Sequence, residues 1–196
     1  DAVLFVDVSC HADLTLDISK TVVELAKVEK FGYTNQARLS YTVKSQEEII
    51  NNAQVSLSCS NTNVTASLDG TDIVITANEL GETLVTAQYT DGITSVETKI
   101  EVNIVKPILQ TEETYLFSTR GDKAVDMSLI KALEGESCST DDLVSITYED
   151  GGFTFEKETT SKVLLTNAET LGEWGVVTPV TFEFTGYEVQ LNLKGY

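Results

Sequence analysis

Arg120-Gly121-Asp122, within "STRGDKA" (Ser118 to Ala124), spells the tripeptide that animal integrins read on extracellular matrix proteins. It follows the strand-like "TYLFS" and precedes "KAVDMSL", which predicts an exposed turn, where an adhesion ligand has to sit. Glycine between two polar residues is also ordinary turn chemistry, so a plain turn is the first reading and adhesion through Arg120, Gly121 and Asp122 the second.

Catalytic arrangements are thin. His11 is the single histidine and neighbours Cys10. In an extended strand, adjacent side chains point to opposite faces, so thiol and imidazole do not form a dyad there. A Ser-His-Asp arrangement and a multi-histidine zinc set are therefore not expected. Among the carboxylates, Asp141, Asp142 and Asp150 are the best calcium candidates, although no EF-hand loop spacing accompanies them, and solvated acidic loops are the preferred reading. No phosphate-cradling glycine loop appears. Tyr115, Phe117, Phe153 and Trp174 could build an aromatic platform for sugars, against the plainer reading that they fill the core. Asn63-Val64-Thr65 is a sequon, relevant only to a eukaryotic secretory route. No enzyme activity and no cofactor are expected.

Cys10, Cys59 and Cys138 form an odd set without CxxC spacing, which argues against zinc and against a dense disulfide framework. Cys10 and Cys59 could bridge, or all three could be buried thiols. Of 196 residues, 13 are Lys or Arg and 31 Asp or Glu, a net charge of −18. That charge repels nucleic acid and anionic lipid surfaces, and no apolar run approaches the roughly 20 residues of a membrane helix. A chain beginning at Asp1 reads as a processed product or part of a longer one.

The elements that must position these residues read as strands. β-branched and apolar residues alternate with polar ones in "DIVITA", "ETLVTAQYT" and "ETKIEVNIV", and Asp69-Gly70 and Asp91-Gly92 between them suit tight hairpins, so antiparallel sheets are expected. The pattern returns in "LVSITYEDGGFTFEKE", with a turn at Asp150-Gly151-Gly152, and in "SKVLLT", "PVTFEF" and "YEVQLNL". "TVVELAKVEKF" reads as a strand. Asp126 to Gly135 is the best helix candidate. Pro107 cannot donate within a ladder, so a domain boundary is placed at Lys106-Pro107, giving 1–106 and 107–196.

The stretch "VSLSCSNTNVTASLDGTDIVITANELGETLVTAQYTDG" resembles the group 2 bacterial immunoglobulin-like domain, a β-sandwich of bacterial surface adhesins and of phage tail and capsid proteins. The similarity covers about Leu14 to Val105 and rests on a Ser-rich stretch, a short glycine turn, and a Gly-Glu opening a long strand. It implies tandem antiparallel β-sandwiches, the first immunoglobulin-like, in an all-β chain with at most one short helix. It further implies a structural or surface-display protein on a bacterial cell or virion, extracellular, working through protein partners including copies of itself. A glycan- or host-receptor-binding adhesion module is the alternative. "AVLFVDV" (Ala2 to Val8) precedes that region and is the most apolar segment, so Val3, Leu4, Phe5, Val6 and Val8 either close their own sheet or form a strand that ties subunits together.

Overall fold

The computed structural model describes residues 13–117, 124–126, 138–166 and 176–195. Among them the regular elements are strands, apart from one 3-10 turn at Thr140–Asp142. The chain divides into two units, Asp1–Lys27 with Asn35–Val105, and Val28–Thr34 with Lys106–Tyr196. The expected intersubunit strand, Val3, Leu4, Phe5, Val6 and Val8, lies outside the described residues. So does the expected helix, except that Asp126 ends a strand.

In the first unit, strands β1 (Leu14–Ile18), β3 (Gln36–Ser45), β7 (Asp72–Ala77) and β6 (Val64–Asp69) form one sheet in that order, with β4 (Glu48–Ile49) pairing on β3. Strands β2 (Val22–Ala26), β9 (Ser95–Val105), β8 (Gly81–Thr90) and β5 (Ser56–Cys59) form the second. Period-two alternation puts Leu39, Val43, Ile73 and Ile75 of one sheet and Leu25, Val85, Ile100 and Ile104 of the other in a common aliphatic core. The β8–β9 hairpin closes at Asp91, whose carboxylate accepts from the backbone N–H groups of Thr94 and Ile93, both at 2.8 Å. These bonds hold its carboxyl below the usual range. Gly81 opens β8 at φ +115°, and an added Cβ would meet the Asn63 amide at 3.3 Å. Glycine serves there on both counts.

The second unit repeats this plan. Strands β10 (Ile108–Phe117), β17 (Tyr187–Gly195), β16 (Val177–Phe184), β12 (Leu143–Tyr148) and β13 (Gly151–Phe153) form a five-stranded sheet in that order. Opposite them, β11 (Ala124–Asp126), β15 (Lys162–Leu165) and β14 (Phe155–Thr159) make a three-stranded sheet. The core is richer in aromatics: Phe153, Phe182, Phe184 and Tyr187 join Ile146, Val163, Val189 and Leu193. Phe184 stacks on Tyr187 at 4.6 Å between ring centroids.

Two pairings depart from the expected antiparallel pattern. β2 runs parallel to β9, with Val22 opposite Glu101 and Ala26 opposite Val105, and β10 runs parallel to β17. Each joins the first strand of one sheet to the last strand of the unit, where no hairpin turn can signal the direction. The second unit also takes in Val28–Thr34, which leaves the first sheet after β2. There Lys30, Phe31, Gly32 and Tyr33 make a tight turn: Phe31 and Gly32 have φ +53° and +80°, and Tyr33 N–H donates to Lys30 O at 2.9 Å. Phe31 packs edge-to-face on Tyr187, with centroids 5.8 Å apart at 75°. Lys30 Nζ lies 5.3 Å from the same ring. Val28 occupies the space that a Cβ on Gly186 would need, 3.1 Å away.

Candidate interaction surface

The outer face of the five-stranded sheet in the second unit is ordered in rows by its registers. Gln110 of β10 stands opposite Gln190 of β17, Gln190 opposite Thr181 of β16, Thr181 opposite Thr147 of β12, and Thr147 opposite Gly152 of β13. One row therefore crosses all five strands without a charge. The next row runs from Ile108 through Glu188 and Glu183 to Ser145. On the other side Asn192 stands opposite Pro179. Gln110, Thr147, Thr181, Gln190, Pro179 and Glu149 line a shallow groove of about 440 Å³ over the neutral row.

The charged row is held by one cation. Lys106 Nζ donates to Glu183 Oε1 and to Glu188 Oε1, each at 2.8 Å, and Ser145 Oγ donates to Glu183 Oε2 at 2.9 Å. Partial burial pulls the Lys106 pKa down, but the hydrogen bonds and charges of the two carboxylates outweigh it and leave the ammonium above its usual value. The Lys106 and Ser145 hydrogen bonds hold Glu183 below the usual carboxylate range.

The first unit is built differently. On its β2-β9-β8-β5 sheet, exposed Val22 and Leu84 flank Glu101, and Asn103 sits between Glu24 and Glu82, so acidic and apolar groups are mixed. A groove of about 550 Å³ lies over this patch. On its other sheet Gln36 donates to Thr76 Oγ1 at 3.1 Å, and Arg38 pairs with Asp69 at 2.7 Å. Asn63 of the sequon donates its amide to Glu82 O at 3.3 Å.

Among the described residues, those singled out in the sequence do not converge. Arg120, Gly121, Asp122, Cys10, His11 and Trp174 lie outside the described residues. Phe153 is in the core rather than on a platform, and Tyr115 and Phe117 belong to β10. Asp141 and Asp142 are exposed in the 3-10 turn and Asp150 is in the β12–β13 turn; among the described residues no three acidic, His or Cys side chains gather as a metal site would need. Cys59 and Cys138 are thiols, and Cys10, the proposed partner of Cys59, lies outside the described residues. The neutral row was missed altogether: alternation in "PVTFEF" and "YEVQLNL" marks outward residues, but only the register shows that they line up.

Each unit places its strands in two facing sheets, with the first strand of one sheet beside the last and the chain changing sheets between its hairpins. That arrangement is the immunoglobulin-like β-sandwich. The chain is similar to solved structures of domains 4 and 5 of the S-layer protein SbsC, at 22% identity and TM-score 0.38 over 48% of this chain and 47% of that one. It is similar to SbsC domains 5–6 at 14% identity and TM-score 0.38, over 94% of this chain and 99% of that one. Titin domains I67–I69, in an E-to-A variant, give 11% identity and TM-score 0.37 over 94% of this chain and 66% of that one. The chain thus spans about half the length of the first of these structures. No protein-family model matches it, and a search of curated proteins returns no match.

Proposed function

We propose that this chain is a non-enzymatic structural protein of a bacterial cell exterior, made of two immunoglobulin-like sandwiches in series and working through contacts with other proteins, including copies of itself. The first sandwich we assign to the group 2 bacterial immunoglobulin-like kind, on Gly81-Glu82 opening the long β8 and on "TLVTAQYTDG". The observation that carries the structural reading is the parallel pairing, in each unit, of the first strand of one sheet with the unit's last strand. β10 runs from Ile108 opposite Glu188 to Phe117 opposite Gly195, and β2 does the same along β9 over five residue pairs. Tension along the chain pulls such a pair in opposite directions along its length, loading its hydrogen bonds together rather than one at a time. A module that transmits force between neighbours is served by that arrangement. The −18 charge keeps copies soluble when crowded.

The test is single-molecule pulling. Held by its two ends, the chain is expected to give two unfolding events at higher force than when unit 2 is held at residues 177 and 194, the open end of the β16–β17 hairpin, where pulling unzips that pair. Equal low forces in both geometries would defeat the reading, since forced unfolding reads the barrier that the shear pairing sets.

A further inference from the structure

We propose that the neutral row Gln110–Gln190–Thr181–Thr147 is a binding site for a linear, uncharged polysaccharide lying across the strands of the second unit. The row presents an amide or hydroxyl about every 4.8 Å, the spacing of neighbouring strands, which is on the scale of one pyranose ring. Amides and hydroxyls each donate and accept, which matches a ligand whose own groups are hydroxyls. None of these four side chains is hydrogen-bonded to another described residue, although Gln190 and Thr181 are half-buried in the sheet face. By contrast Gln36, the corresponding kind of residue in the first unit, is already bonded to Thr76.

The surroundings select the ligand class. Glu183 and Glu188 border the row, and Lys106 neutralises part of their charge, so nothing beside it attracts an anion and the acidic chain as a whole repels one. A protein partner would want buried aromatic or arginine anchors at its centre, and the row offers neither. An extended peptide would add to a sheet edge and not lie across a face. The exposed ring of Pro179 gives the apolar C–H faces of sugars something to pack against.

The experiment is affinity electrophoresis of the full chain through gels containing neutral polysaccharides (mannan, xylan, β-1,3-glucan) or the acidic hyaluronate and polygalacturonate. At least one neutral polymer is expected to retard the chain, and Thr181→Ala with Gln190→Ala to weaken that retardation roughly tenfold, the loss of one or two hydrogen bonds each. Thr181→Glu should abolish it. These positions face outward, and an unchanged melting temperature separates lost binding from lost fold. Retardation by no neutral polymer, retardation by the acidic ones alone, or equal retardation of the variants overturns the proposal. So does sedimentation showing that the same substitutions break self-association, which would give the row to a second copy. The site is independent of the force-bearing reading, which pulling tests separately.

Discussion

Lys106 Nζ lies 2.8 Å from Glu183 Oε1, one residue past the last strand of the first unit, and reaches Glu188 at the same distance. The cation therefore ties the start of unit 2 to its two last strands.

That tie has a pH signature. Glu183 is held below its ordinary range, so its stabilisation is complete above the unfolded carboxyl value of about 4.3 and is lost as pH falls through the depressed folded value. Lys106 ends raised, with burial opposing and its carboxylates prevailing, so its share is complete below the unfolded value of about 10.4 and is lost as pH rises through the folded one. Lys106→Met should lower the unit 2 transition by a few degrees at pH 7, about 0.5–1 kcal/mol for a partly exposed pair. The difference from wild type should shrink toward pH 2. Calorimetry across pH 2 to 8 checks this, and a loss of equal size at every pH speaks against the pair.

Phe31 offers a second test, because strain and packing oppose each other at one residue. Its φ of +53° is costly for a bulky side chain, and its ring contact with Tyr187 offsets that cost. Phe31→Ala keeps the strain and loses the ring, so unit 2 should lose about 1–2 kcal/mol. Phe31→Gly should lose less, by several tenths of a kcal/mol, since glycine accepts the backbone. Thermal melting that ranks glycine below alanine would contradict the turn geometry.

Core truncation asks whether the units fold separately. Phe182 is fully buried, and Phe182→Ala should cost about 3–5 kcal/mol, a large part of what a unit of this size has to lose. Hydrogen exchange should then show unit 2 opening while β7, β8 and β9 stay protected. Residues 12–106 alone should likewise melt cooperatively, with Phe31 left without its Tyr187 partner. Loss of protection in both units together would mean one cooperative fold.

Cys59 is half-buried and Cys138 buried, both as thiols. Alkylation of the native chain without reductant should label Cys59, and label Cys138 only under conditions that open unit 2. Mass spectrometry finding Cys59 blocked until reductant is added would restore a bridge.

How far the sequence reaches depends on whether structure is encoded locally. The hairpins at Asp69-Gly70 and Asp91-Gly92 were legible because glycine takes the positive φ, +64° at Gly70 and +95° at Gly92. The turn between β3 and β4 was not, because it places Gln46 and Glu47 at φ +50° and +70° with no glycine to mark it. Asp150-Gly151-Gly152 was read as a turn, yet β13 already begins at Gly151. The parallel pairs and the neutral row depend on which distant strands meet and in what register, and period-two alternation is silent on both.

The placement of Val28–Thr34 in the second unit also sets an order of events. Tyr187 leaves the ribosome roughly 150 residues after Phe31, which at ordinary translation speeds is roughly 8–30 s later. Strands β3 to β9 of the first unit are made in the interval, while the aromatic turn that interrupts the unit waits for a partner still to be synthesised. The second unit cannot finish until that early segment is recaptured, a contact of high sequence separation whose closure slows folding more than it costs stability. Until then Phe31 is the exposed apolar group by which a chaperone, or another half-made chain, can recognise an unfinished molecule.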